Sequence, residues 1–573
     1  MDAVKSLFWV LCWVQPYVLV AQGANEPDTL AQADVEGQYR TIQSQLTEAY
    51  QDPNDVALWS GEDIRSFGPG VSMTVSRDGL PSAYYQVVLP SGPVVASDLG
   101  VVDLNTLPSA GMTWTTTRHH NADRHLAMEP KPASEFHLGG NSIGSYDAWA
   151  MLRYNDEDFV QLGIKSWDLT FPYRDYLGRE LTRMGNDGDQ YTLGTQWTRQ
   201  YGHIKWDQAV QWTSVDRGIP ESTFAAYTEG ARQQDERIQW LNRQSWRSNL
   251  GDWSLEQVAW RSDQFYQYPK YNLMDTNHIR GAQFNMIHRN LSGWQFKTWG
   301  RREWAQGMNK LDANQWTLGV HAETRFHRGC HDVNMALDWL QRDFQSMGYL
   351  VPKVEWKFSQ KQHQLRSSVE RLMRYPTMND RFWTPGGQVD LLPELGWQVQ
   401  SEWAWYRGAL KSQLRVFNGY FSQGIMWVPG PFNIWRPENV YELRRMGGEM
   451  VIGGQYWTMA YRALRSVNAE GQMSPYVTPH VLRASGQMPI GKGMLRMQGL
   501  YHSATATTWS VQPTMLDPFI RLDAHWIQSW GSFKLQLSVI NMLNSPYAFQ
   551  LGYPMPGRHI QINLNYSIPN ASS

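Results

Sequence analysis

Polar and apolar residues alternate with a period of two along most of this chain. Between Arg558 and Ile568, the residues Ile560, Ile562, Leu564, Tyr566 and Ile568 take every second position, with His559, Gln561, Asn563, Asn565 and Ser567 between them. That period sends the two sets to opposite faces of a sheet and predicts a strand. Ile204, Trp206, Val210 and Trp212 alternate in the same way with Lys205, Asp207, Ala209 and Gln211. Val354, Trp356 and Phe358 repeat the pattern, as do Phe533, Leu535, Leu537 and Val539. Turn chemistry separates such segments at Gly185–Gly188, Pro385–Gly387 and Asn468–Gly471. The texture holds over residues 134–573.

Strands that are apolar toward lipid and polar toward a water-filled lumen cross a membrane as a closed barrel. At ~20 residues for each strand and its connection, residues 134–573 predict about 22 strands. Barrels of that size leave a lumen wide enough to hold a plug. The expected fold is therefore all-β: a large antiparallel transmembrane β-barrel with a short N-terminal plug domain in its lumen.

The chain before residue 134 reads differently. Residues 1–22 resemble a secretory signal, with Lys5 ahead of the apolar run Leu7 to Ala21. Residues 23–40 are polar and predict a flexible N-terminus. In residues 41–133, short β-branched runs sit between Gly and Pro turns, at Phe67-Gly-Pro-Gly70, Ser76–Gly79, Val87–Val95 and Asp98–Pro108. This predicts a compact mixed domain, the candidate plug, and a connection carrying His119, His120, His125 and Glu129.

Composition adjusts the picture at few points. Lys+Arg 51 against Asp+Glu 53 gives no electrostatic case for nucleic acid. Trp 29 and Tyr 27 suit two interfacial aromatic girdles. Beyond the first two dozen residues, no run approaches the roughly 20 apolar residues of a spanning helix. Cys12 leaves with the signal, so Cys330 is expected as a lone buried or lipid-facing thiol. No nucleophile elbow, phosphate loop or paired-histidine helix is present, so neither an enzyme nor a cofactor is expected. The histidines near 120 read as solvated, and Asp187 with Asp189 as a polar turn, so no metal site is assigned.

Several ordered motifs resemble one family, the TonB-dependent receptors, and within it the cobalamin-receptor-like branch of Bacteroidota. They are Gly68-Pro69-Gly70, Arg77 and Gly79, and Asp103-Leu-Asn-Thr-Leu-Pro108 in the plug. In the barrel they are Asp216–Pro220, Arg374–Gly387 with Asp390–Glu394, Ile425–Pro429 with Trp435–Asn439, and Asn541–Asn544 with Tyr553–Arg558. The resemblance implies an outer-membrane importer of a scarce bulky nutrient, a corrinoid foremost, with haem or a siderophore-like ligand as alternatives. It implies that Asp28, Thr29, Leu30 and Val35 belong to a TonB box, which a periplasmic TonB-type protein takes up by strand addition. Arg77 is expected to pair with wall carboxylates, and Trp383, Trp427 and Trp435 are candidate ligand contacts. A surface lipoprotein and outer-membrane lipid are further candidate partners.

The departures bear on transport. Asp78 separates Arg77 from Gly79, Gln388 and Val389 replace the usual Asn-Pro, and Gly139-Gly140 is a poor remnant of the second plug signature. They motivate the alternative of a transport-inactive barrel serving as a binding or structural subunit of a surface complex.

Overall fold

A computed structural model describes residues 63–568 apart from 95–99, 120–121, 175–177, 224–229, 309, 344–347 and 431–433. Their dominant feature is a 22-strand antiparallel barrel. Its strands pair in sequence order from Glu135–Asn141 to His559–Ser567. The last then pairs with the first, Leu564 opposite Leu138. Closure leaves no open edge, as backbone surrounded by hydrocarbon requires.

Parity assigns the two faces. Along Ile204–Ile219, alternate residues from Ala209 to Arg217 are buried toward the lumen. Along His559–Ser567, Ile560 and Ile562 are half exposed outward, while Asn563 and Asn565 are buried. The rims differ. At one, Gly202, Gly329, Gly408, Gly491 and Gly531 sit in tight turns with φ between 56° and 61°, a left-handed conformation that suits hairpins. At the other, the connections 168–187, 374–394, 467–480, 502–519 and 540–559 are long. In outer-membrane barrels the short turns face the periplasm and the long loops face outward, which orients the chain.

Inside the wall lies the described part of the N-terminal block. The hairpin Asp63–Ser66 with Met73–Ser76 leads into a four-stranded sheet. There Gln86–Leu89 pairs in parallel with Ala122–Pro130. Val87, Leu89 and Leu104 of this block share one buried cluster with Met151, Phe159 and Leu500 of the wall. The main apolar core is thus the interface between stopper and barrel.

The outer connection 375–393 folds inward. Its short helix Met378–Phe382 opens with a reciprocal cap: Thr377 Oγ1 accepts from Asp380 N at 3.1 Å, and Asp380 Oδ2 accepts from Thr377 N at 2.9 Å. Met378 packs on Ile279, Ala305 and Ala313 of the facing wall. Arg381 Nη1 donates to Gln315 Oε1 at 3.1 Å.

Two expectations are corrected. Gly139 and Gly140 belong to the first barrel strand, and a Cβ at Gly139 would lie 2.4 Å from Asp147 Oδ1. Glycine there makes room for buried His137 and the partly exposed Asp147 it contacts, a packing role within the barrel strand rather than a part of the plug. Cys330 is exposed, neither buried nor lipid-facing, because it sits in the tight turn between Lys310–Arg328 and His331–Arg342.

Candidate functional site

Three plug carboxylates each meet a wall guanidinium. Asp78, at φ +54, presents its carboxylate to Arg415 in a fork of 2.6 and 2.7 Å. Arg445 Nη1 donates to the Asp78 carbonyl at 3.0 Å. Asp63 is held the same way by Arg462. Asp103 Oδ2 accepts from Arg217 Nη2 at 2.7 Å, and Arg217 also contacts Asp235 at 3.2 Å. Arg77 supplies the reverse pair, with Nη2 2.7 Å from Glu449 Oε2, while Arg483 holds the other oxygen of Glu449 at 2.8 Å.

Burial alone would raise the Asp78 carboxyl. The guanidinium groups of Arg415 and Arg77 overcome this and hold it well below the usual carboxylate range. For Asp63 burial wins, and its carboxyl is pushed up despite Arg462. Paired charges in a dry interface add little net stability, but removing one partner is costly.

The turn at Gly68, Pro69 and Gly70 is set against the wall as well. Asn186 Nδ2 donates to the Pro69 carbonyl at 2.8 Å, and Arg217 Nη1 to the Gly70 carbonyl at 3.4 Å. A Cβ at Gly70 would fall 2.6 Å from the Trp167 indole nitrogen, so only glycine allows this approach. Gly79 sits under similar constraint beside Ser466.

Beside that turn, toward the outer rim, is a cavity of ≈ 130 Å³ at the seam where the barrel closes. Pro69 and Gly70 line it from the plug, Trp149, Lys165 and Trp167 from the wall, and Tyr547 from the outer connection 540–559. Lys165 Nζ lies 5.9 Å from the Trp167 ring centre and makes no ion pair among the described residues. Its cross-strand neighbour Asp147 is already engaged by His137 Nε2 at 3.0 Å. A partly buried cation whose nearest carboxylate is occupied favours an anion.

The three tryptophans surround the infolded outer connection. Trp427 Nε1 donates to Asp380 Oδ1 at 3.0 Å. Trp383 follows the short helix as its C-terminal cap. The Trp435 carbonyl lies beside Gly386, and its side chain is half exposed. None of them lines the seam cavity. Asp187 pairs with Arg232 at 2.8 Å, and no group of three or more metal-ligating side chains occurs among the described residues. Asp28, Thr29, Leu30, Val35 and His120 lie outside the described residues.

Sequence reasoning missed Asp63, Arg217, Arg415, Arg445, Arg462 and Arg483. Each wall arginine falls on a lumen-facing parity position. Lumen faces are polar throughout, so parity alone does not separate an anchor from an ordinary wetted charge.

A closed barrel with an infolded N-terminal stopper defines the architecture of a gated outer-membrane receptor. The family described as TonB dependent receptor-like, beta-barrel matches residues 103–542. The chain belongs to that family, which the match identifies as a whole without distinguishing its branches. No curated protein sequence matches. Among solved structures, the FrpB iron transporter from Neisseria meningitidis (F3-3 variant) superposes with a TM-score of 0.75 at 11% identity, covering 92% of this chain and 98% of that one. The copper transporter OprC gives 0.71 at 12% identity, covering 89% and 94%. A mutant of the ferric enterobactin receptor PfeA from Pseudomonas aeruginosa gives 0.72 at 10% identity, covering 92% and 99%. These likenesses concern the fold.

Proposed function

We propose that the protein is an energy-coupled outer-membrane importer of a compact anionic metal chelate of the ferric-siderophore kind. The observation that carries this reading is the seam cavity, whose lining combines Lys165, three aromatic rings and the Pro69-Gly70 turn. Its ≈ 130 Å³ is below the roughly 300–1,000 Å³ of pockets that enclose whole ligands. It suits an anionic arm of a chelate better than a corrin ring. The neighbouring folds are named for iron, copper and ferric enterobactin, which favours the same class.

In this reading the ligand arm presses on the Pro69-Gly70 turn, whose carbonyl is bonded by Arg217, the residue that also holds Asp103. Loosening that anchor makes the N-terminal segment available, and Asp28–Gly37 joins a sheet edge of a TonB-type partner. An external pull then breaks the remaining ion pairs. Deleting residues 28–37 tests the coupling: uptake of radiolabelled ferric catecholate is expected to vanish while surface binding persists. Unchanged uptake overturns it.

A second reading is favoured by the depth of the clamp. Asp63, Asp78 and Arg77 are all buried, so a barrel that never releases its stopper would act as a binding subunit, with a surface lipoprotein as candidate partner. Loss of a surface complex without loss of uptake in the same deletion supports that alternative.

A further inference from the structure

The outward face of the wall carries a second depression, separate from the lumen. It has a volume of ≈ 510 Å³ and lies where Trp435–Gly453 and Trp457–Val467 meet the outer connection 467–480. Met446, Gly448 and Ala463 form its floor, and Met473 and Pro479 of the connection form its side. Parity fixes the direction. Arg462, Leu464 and Ser466 are buried toward the lumen, so Tyr461, Ala463 and Arg465 point to lipid. Gly448 and Ala463 lower the floor because neither carries a side chain beyond Cβ.

Arg465 lines this groove, is exposed, and makes no ion pair among the described residues. Arg444, on the neighbouring strand, differs: it has Glu442 at 3.6 Å and the Tyr420 ring at 5.9 Å. Tyr461 Oη and His480 Nδ1 lie 2.9 Å apart with stacked rings, the kind of aromatic and polar pairing found at the level of lipid head groups. A lipid-facing arginine costs ~2–4 kcal/mol at the bilayer midplane and ~0–1 near the interface. A counter-charge from the bilayer offsets what remains.

We propose that this groove seats an acyl chain of a phosphate-bearing lipid of the outer leaflet, with Arg465 on the phosphate. The occupant is lipid because the groove opens on the face that meets hydrocarbon. It is anionic because the unpaired group is a guanidinium, which binds phosphate through a fork of N–H donors. The outer leaflet follows from the position of the groove against a long connection. The inference is independent of what the lumen imports.

Native mass spectrometry of the full chain in detergent tests it, with dioleoyl phosphatidic acid, dioleoyl glycerol and inorganic phosphate as separate probes. Phosphatidic acid is expected to be retained about fivefold better than the diacylglycerol, the worth of one basic residue at a charged lipid surface. Arg465→Gln brings the two lipids level, and Ala463→Phe, which fills the floor, lowers retention of both. Heat-modifiable electrophoretic mobility reports that each variant is a folded barrel. Wild-type retention of phosphatidic acid by folded Arg465→Gln overturns the proposal. So does equal retention of the diacylglycerol by the unaltered chain, or displacement of the lipid by inorganic phosphate, which would make this a free-anion site.

Discussion

Asp78 and Arg415 are 337 residues apart in sequence, yet they form a two-point ion pair of 2.6 and 2.7 Å sealed from solvent. The pair joins the stopper to a strand of the far wall. Asp78 holds a left-handed backbone next to Gly79, a conformation that asparagine also accepts. Asp78→Asn therefore removes charge with little backbone strain.

The expected cost of Asp78→Asn is about 3 kcal/mol of stopper seating, because buried Arg415 loses its two-point partner and keeps only Glu449 at 3.8 Å, which Arg77 and Arg483 already hold. Protease cleavage within the plug of the membrane-inserted protein should rise accordingly. Asp78→Asn combined with Arg415→Gln should recover much of the loss. A single variant as resistant as the unaltered chain would mean that the pair does not hold the plug.

Acid should act through the same pair. A carboxylate whose docked pKa is depressed contributes stability above its free value, about 3.9, and loses it progressively as pH falls below that. Asp63 has the opposite sign: its raised carboxyl takes up a proton on docking, so acid favours its seating. The two groups therefore oppose each other, and the Asp78 part is read as the difference in seating between the unaltered chain and Asp78→Asn, which should shrink below about pH 4. Protease protection measured from pH 7 to pH 3 checks this, and the acid limb should flatten in Asp78→Asn.

How much of this was readable in the sequence depends on the kind of signal. Ile560, Ile562 and Leu564 announce their strand because a period of two is a local property of the chain. The closing contact of Leu564 with Leu138 follows once closure is assumed. Asp78 looked like an insertion that spoiled a motif. Its partner lies hundreds of residues away, and nothing near Arg415 distinguishes it from other lumen arginines. Lys165 went unremarked for a similar reason: its character rests on His137 having taken Asp147, a relation across two strands. The infolding of Met378–Phe382 was hidden because helix caps reveal where a helix starts, not which wall it meets.

The infolded connection also touches the stopper. A Cβ at Gly100 would lie 2.3 Å from the Thr377 methyl group, so plug and loop are in close packing at the residue that caps the short helix. Thr377→Ala removes both the methyl contact and the cap, and a lost cap costs ~1 kcal/mol. The loop should then be cleaved faster by protease added outside the cell. Thr377→Ser retains the hydroxyl and should restore most of the protection if the cap dominates. Equal cleavage of Thr377→Ser and Thr377→Ala would assign the effect to the methyl contact with the plug instead.

Lys165 offers the sharpest test of the seam cavity, since it carries charge there without holding the fold together by an ion pair. Lys165→Gln should leave barrel stability within about 0.5 kcal/mol, as for substitutions outside named stabilising features. It should weaken binding of a ferric tris-catecholate by ~1.5–3 kcal/mol, the worth of a hydrogen bond to a charged group. Titration calorimetry on the detergent-solubilised protein would read this as roughly a ten- to hundredfold rise in Kd. A neutral chelate of similar size should be indifferent to the substitution. Added salt should narrow the gap between the two ligands, because ions screen a partly exposed cation. Equal losses for charged and neutral chelates would show that Lys165 shapes the cavity rather than selecting charge, and no loss for either would move the binding site elsewhere in the lumen.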